Sequence, residues 1–239
     1  MDLSIVIPAF NESRKIARDV EAAAAFLKNN NLTGEIVVVD DGSSDNTTAA
    51  AEAAIIPSDM LLNVIRYEDN RGKGYAVRTG MAASTGEYTM FADSGNCVPY
   101  DTALLGLELL KSGSCELAHG SRKMPGSVIR RPQSCFRRLM SRFFRLLMVL
   151  FMKIPTELTD TQCGFKIYKG DVAWELYGAC TTDGFIFDIE IILRACRAGY
   201  RIREFPLEWT SDRDSRLAPT RNAGRMLREL LAIRHTLSV

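Results

Sequence analysis

The chain has 239 residues, 46% of them hydrophobic, and its 30 Lys and Arg against 29 Asp and Glu leave a formal net charge of +1. That is enough apolar material to bury the core of one large α/β domain, and so even a charge balance argues against a nucleic-acid partner. The six cysteines, at positions 97, 115, 135, 163, 180 and 196, form no CxxC pair, which argues against a zinc site or disulfide scaffold and for a reducing compartment.

The N-terminus carries no signal-peptide pattern and runs into an apolar strand, Leu3 to Ile7, which Pro8 ends. Asn11 or Ser13 is suited to cap a helix from about Arg14 to Lys28. The next strand, Glu35 to Val39, leads into Asp40-Asp41-Gly42-Ser43-Ser44-Asp45. Two carboxylates are followed by a glycine for a tight turn and by hydroxyls that can cap a helix over about Asp45 to Ala54. Asp40 and Asp41 then stand at the C-terminal end of a buried strand, where open α/β sheets bind ligands, or they only end the strand and cap the helix. Leu62 to Tyr67 reads as a third strand, and Asn70-Arg71-Gly72-Lys73-Gly74 as a turn that opens a helix over about Tyr75 to Ala83. A fourth strand, Tyr88 to Ala92, delivers Asp93-Ser94-Gly95-Asn96 to the same edge. A helix at about Asp101 to Leu110 and a strand at Cys115 to Gly120 complete an alternation that argues for a parallel, doubly wound sheet. The glycine turn matches neither a P-loop nor GxGxxG, which disfavours a dinucleotide-binding oxidoreductase. Arg71 and Lys73 can still meet phosphates as point charges, or form an exposed basic turn.

From Arg122 to Lys153 there are nine Lys or Arg and no Asp or Glu. A helix over about 134–152 would gather Arg137, Arg138, Arg142 and Arg145 in one sector, opposite Leu139, Met140, Phe143, Leu147 and Leu150. That is the pattern of a helix lying in a membrane interface, or of a core helix whose arginines face solvent. No apolar run is long enough to span a bilayer. Thr159 to Lys166 interrupts the alternation as a loop and short strand. Asp183 to Glu190 leads into a helix through about Ala198, with Gly199 as its C-cap. Asp188 and Glu190 lie where the helix dipole favours negative charge, and could instead orient a sugar hydroxyl or act as a base. Tyr200 to Trp209 is strand-like, with Pro206 marking a sheet edge. Arg213 and Arg216 could clamp a phosphate or stand in solvent, ahead of a helix over about Asn222 to Arg234 whose apolar residues recur at helical spacing. His119 and His235 are too isolated for a metal pair or a triad.

Together these residues resemble the family 2 inverting glycosyltransferases of the GT-A fold. Ile5-Val6-Ile7-Pro8-Ala9-Phe10-Asn11-Glu12 is similar to that family's opening motif, and Val39-Asp40-Asp41-Gly42-Ser43-Ser44-Asp45-Asn46-Thr47 to its second. Asn70 to Met81 and Asp160 to Lys166 resemble the branch acting on polyprenyl phosphates, most of all the dolichyl-phosphate β-glucosyltransferases and next the dolichyl-phosphate mannosyltransferases. The resemblance implies one α/β GT-A domain over 1–239, with a nucleotide-sugar half at 1–121 and an acceptor half at 122–239. Its doubly wound, mostly parallel sheet would be flanked by helices and carry a basic amphipathic helical insertion. The implied reaction moves a hexose, from UDP-glucose ahead of GDP-mannose, to a polyprenyl or dolichyl phosphate at the membrane surface. The protein would then be peripheral, on the cytoplasmic side.

Carried to matching positions, the resemblance places Pro8, Ala9, Glu12, Asp40, Asp41 and Gly42 at the nucleoside, where a carboxylate can accept a base N–H. Lys73 and Arg78 would lie near the donor, and Gln162 in the active-site wall. Asp188 and Glu190 fall where the family keeps acceptor-site acids, and Arg122, Arg213 and Arg216 are implied at the acceptor's phosphate or the leaving diphosphate. Asp93 matches the first acid of an Asp-x-Asp motif that holds Mg2+ or Mn2+ against the diphosphate. Two departures stand out: Gly95 occupies the place of the second acid, with Asn96 the next oxygen ligand, and the transmembrane segments of many relatives are missing. The alternatives are the same fold acting on a soluble alcohol acceptor, with Phe136 to Met152 in the core or a dimer interface, and a non-catalytic nucleotide-sugar-binding protein. The oligomeric state is left open.

Overall fold

Seven strands form one sheet in the order β3-β2-β1-β4-β7-β5-β8. They are β1 Leu3–Ala9, β2 Gly34–Asp40, β3 Leu61–Arg66, β4 Tyr88–Ala92, β5 Leu117–Ser121, β7 Phe165–Lys169 and β8 Ile202–Pro206. The computed structural model describes residues 1–130, 135–210 and 219–238, the backbone alone over 135–143 and 219–223. β1 and β2 are buried almost throughout because helices cover both sheet faces, which is why they read as unbroken apolar runs rather than alternating ones. Ile5, Ile7, Ile36 and Val38 point to one face, against α1 Ile16–Asn29, α2 Thr47–Glu52 and α4 Ala103–Lys111. Val6, Val37, Val39 and Phe91 point to the other, against α3 Lys73–Ala83, α6 Gly170–Ala179 and α7 Phe187–Ala198.

The strands pair in parallel except β7, which runs antiparallel to both neighbours, β4 and β5. This reversal brings residues 160–164, at the start of β7, to the edge where the other strands end. The loop and short strand expected over Thr159 to Lys166 are both present, and the strand, β7, runs on to Lys169 in the interior of the sheet. Helix α6 was not anticipated: its apolar set Val172, Ala173, Leu176 and Tyr177 is short and opens at a glycine. The strand expected over Tyr200 to Trp209 divides. β8 ends at Pro206 as an edge strand, and β9 Glu208–Trp209 pairs with β6 Val128–Ile129 in a small second sheet. Neither Asn11 nor Ser13 caps α1, whose N-cap residue, Lys15, makes no side-chain cap bond.

A third apolar cluster joins α5 Cys135–Met152 and α8 Pro219–Thr236 to α7. Met148 and Met152 of α5 meet Ile186, Ile189 and Ile192, and Leu230 and Ile233 of α8. The outward leucines of these helices are exposed: Leu146, Leu147 and Leu150 on α5, Leu227 and Leu231 on α8. Arg145, assigned above to a basic sector, donates to the carbonyls of Thr156 (2.6 Å) and Leu158 (3.3 Å). Arg137, Arg138 and Arg142 lie outside the residues whose side chains are described. Among the described residues, no helix is long and apolar enough to cross a membrane.

Helix α3 lies directly on β1 because Gly80 has no side chain: a Cβ there would fall 2.2 Å from Val6 Cγ1. Gly80→Ala is expected to destabilise the fold by about 1–3 kcal/mol, as overpacked cores do, read from the midpoint of urea unfolding.

Candidate active site

The loops after β1 and β2 are stitched together by backbone amides. Asp41 N–H donates to Ala9 O (2.8 Å), Asn11 N–H to Ser43 Oγ (2.7 Å), Ser44 N–H to Asn11 Oδ1 (2.7 Å) and Glu12 N–H to Thr47 Oγ1 (2.8 Å). The polar residues expected to cap helices therefore join two loops instead. Asp40 is fully buried and serves its own turn, accepting from Ser43 N–H (2.9 Å) and the Thr48 hydroxyl, with Arg66 at 3.5 Å. Gly42 adopts φ +68°, and a Cβ there would meet Asn70 N at 2.6 Å. The Asp41 carboxylate reaches the third loop. It accepts from Tyr67 Oη (2.7 Å), Asn70 Nδ2 (2.8 Å), Arg71 N–H (2.8 Å) and Gly72 N–H (3.0 Å). Burial and this carboxylate push the Tyr67 phenol up, so it stays protonated as a donor.

Across the cleft, β4 and β7 meet where Asp93 N–H donates to Gly164 O (2.8 Å). Asp93 fits only because residue 164 is glycine: a Cβ there would lie 2.1 Å from the carboxylate. Lys73 pairs with Asp93 Oδ1 at 2.6 Å, leaving the acid's side chain 39% exposed. Burial works against the Lys73 charge, yet Asp93 and Asp188 raise its pKa above the usual lysine value. Beneath them Lys166 forms a buried ion pair with Asp188 and donates to Thr161 O (2.9 Å). Burial raises the Asp188 pKa, against the pull of Lys166 and Lys73. Arg122 grips Asp160 through two bonds, of 2.6 and 2.8 Å, and lies 5.3 Å over the Trp209 ring. Burial opposes the Asp160 charge and Arg122 overrides it, holding the carboxyl below its usual range. Gln162 Nε2 is buried with no hydrogen-bond partner among the described residues.

These loops enclose a cleft of about 480 Å³. The structure brings Pro8, Ala9, Glu12, Asp41, Lys73, Asp93, Arg122, Gln162 and Asp188 together in its lining. It does not bring Asp40, Gly42, Arg78 or Glu190 there. Arg78 is held by Cys180 O (2.7 Å) and Asp183 (2.6 Å). Glu190 accepts from the 181 and 182 amides (3.1 and 2.9 Å) and pairs with Arg194 (2.7 Å). Arg213 and Arg216 lie outside the described residues. Sequence reasoning missed the wall supplied by α8, where Arg225, Met226 and Glu229 face the cleft. Arg225 donates to Arg71 O (3.4 Å), and Glu229 sits over Gly184, where a Cβ would clash at 2.2 Å. It also missed the Lys166–Asp188 pair, although a lysine inside the apolar strand Phe165–Lys169 signals a buried acid partner.

Among the described residues no group of three or more His, Cys, Asp or Glu side chains could hold a metal. Mg2+ needs only one or two carboxylates when a substrate supplies phosphate oxygens. Asp93, half-open to the cleft, therefore fits a divalent cation completed by a diphosphate, and lacks the donors for a cage of its own.

The model of the Glycosyl transferase family 2 matches residues 4–176. A dolichyl-phosphate β-glucosyltransferase from Saccharomyces cerevisiae is 34% identical over 97% of this chain and 74% of its own length. Its Homo sapiens counterpart is 31% identical over the same shares. Among solved structures, the glucosyl-3-phosphoglycerate synthase of Mycobacterium tuberculosis, in complex with Mn2+, UDP and glucosyl-3-phosphoglycerate, superposes with a TM-score of 0.72 at 21% identity. That match covers 99% of this chain and 79% of the synthase. The shared architecture is the GT-A fold.

Removing Lys166 leaves the buried Asp188 carboxyl without its ion-pair partner. Lys166→Met is expected to destabilise the protein by about 3–5 kcal/mol in urea unfolding, and Asp188→Leu added to it to recover most of that loss.

Proposed function

The chain is a glycosyltransferase of family 2, and from that premise we propose that it transfers glucose from UDP-glucose to the phosphate of a polyprenyl or dolichyl phosphate, inverting the anomeric carbon. One observation carries the choice of a phosphate acceptor: each acid lining the cleft already faces a cation or a set of donors, although Glu229 Oε2 has no hydrogen-bond partner among the described residues. Glu12 pairs with Lys15 (3.0 Å), Asp93 with Lys73 (2.6 Å), Asp188 with Lys166, and Glu229 with Arg225 (2.9 Å), while Asp41 is filled by the four donors named above. An alcohol acceptor needs a general base, whereas a phosphate monoester is ionised at neutral pH and needs none. Asp188, raised by its burial, has the best claim as a base for an alcohol, which makes a soluble alcohol acceptor the second reading.

A phosphate oxygen attacks the anomeric carbon opposite the diphosphate, whose bond to that carbon breaks with the electron pair leaving on oxygen. Positioning and charge do the work. The Pro8–Glu12 and Asp41 wall holds the nucleoside, and Lys73 meets the diphosphate. Arg122 and the buried Gln162 amide stand on the acceptor side. Asp93 would hold a divalent cation, Mg2+ or Mn2+, which would supply positive charge to the leaving group. The names of the relatives support the acceptor, and the UDP of the synthase complex supports the donor. The exposed Leu146, Leu147 and Leu150 of α5, with Leu227 and Leu231 of α8, support a surface resting on the membrane that holds a polyprenyl lipid.

With polyprenyl phosphate, Mn2+ and radiolabelled nucleotide sugars, transfer is expected from UDP-glucose well above GDP-mannose. Asp93→Ala should lower kcat by roughly 100-fold or more. Nucleotide binding without transfer from any donor would favour a non-catalytic binding protein; transfer to an alcohol instead would favour the second reading. In co-sedimentation with anionic vesicles, Leu150→Glu is expected to weaken binding several-fold without changing Tm, since Leu150 is 71% exposed.

A further inference from the structure

Asp19 is the only charged residue on the buried face of α1, among Ile16, Val20, Ala23, Ala24, Phe26 and Leu27, and it is 2% exposed. Among the described residues, no cation stands within ion-pair distance of it. Its Oδ2 accepts one strong hydrogen bond, 2.7 Å from the backbone N–H of Gly95. Gly95 stands two residues after Asp93, where the motif resemblance leads one to expect a second acid. It adopts φ +97°, a conformation strained for any residue with a side chain. Burial pushes the Asp19 carboxyl up to about 6. The Gly95 amide, Lys15 and Arg18 work against that rise and Glu12 adds to it, while the buried phenol of Tyr100 is itself raised. An acid kept in the core without a cation weakens the fold, and such groups gather where function requires them. Nothing in the packing of α1 needs a charge at this position.

We propose that Asp19 is a positioning residue of the transfer site: it anchors the Gly95 amide, and so fixes the turn that presents Asp93 to the donor's diphosphate. This rests on the reading of the cleft given above. Gly95 and Asp19 then work as one device, the glycine supplying the turn and the helix supplying the acid that holds it.

Asp19→Ala removes the acceptor and Asp19→Asn keeps a neutral one. In Asp19→Ala the amides of residues 94–96 should exchange with deuterium at least tenfold faster, with β4 unchanged. The affinity for Mn2+ in the presence of UDP, measured by calorimetry, should fall by about 10–100-fold, and kcat with it, while KM for the acceptor holds. Asp19→Asn should lie between Ala and wild type in all three. Stability separates this from a merely structural role. The folded-state pKa is raised from 3.8 to about 6, so the wild type loses stability as pH rises through that interval. Asp19→Asn should therefore melt a few degrees higher than wild type at pH 8 and lose that advantage near pH 4. Unchanged exchange over 94–96, or activity and Tm falling together in both variants, would overturn the proposal. If the wild type transfers no sugar, the functional reading fails by itself, and exchange and UDP–Mn2+ affinity still decide the role of Asp19.

Discussion

The carboxylate of Asp41 is the knot on which the nucleotide-side wall depends. Its own amide is tied to Ala9 at the end of β1, and its two oxygens gather donors from Tyr67, Asn70, Arg71 and Gly72 beyond β3. Three loops that leave three different strands are thereby fixed relative to one another by one residue. Hydrogen bonds to a charged acceptor are stronger than neutral ones, and a buried carboxylate so satisfied is stable without a counter-ion. The sheet supplies the platform; this acid converts its frayed edge into a rigid wall.

The middle of the site follows a different rule, alternation of charge. Asp93, Lys73, Asp188 and Lys166 are drawn from four separate elements or their ends; burial opposes the Lys73 charge and the two acids hold it up, while burial raises Asp188 against the pull of the two lysines. Stripping one member leaves another uncompensated in a low dielectric, so the set behaves as a unit. The antiparallel course of β7 makes this possible. A strand entering from the cleft side brings Gly164 against Asp93 and places Lys166 inside the sheet.

The first half of the fold was legible in the sequence because each βα unit there announces itself twice, by an apolar run and by polar residues at its end. Asp40-Asp41-Gly42 and Asp93 were placed at the correct edge for that reason. What escaped notice depends on partners far away in the chain. Asp40 and Glu190 read as site acids, but their burial and their bonds to Ser43, Thr48, Thr181 and Thr182 are tertiary facts. The reversal of β7 leaves no local mark, since a strand carries the same pattern in either direction. Asp19 carries no mark in the sequence, since only the packing of its helix shows it to be buried.

The wall that α8 gives the cleft also has a kinetic side. Arg225 meets Arg71 across 154 positions, and Glu229 meets Gly184 only after both have been brought to one place. Contacts of such long sequence separation form late, because chain entropy must be surrendered before they add anything. Joining Arg225 to Arg71 therefore costs the chain more loop entropy than pairing any two neighbouring strands of the sheet does.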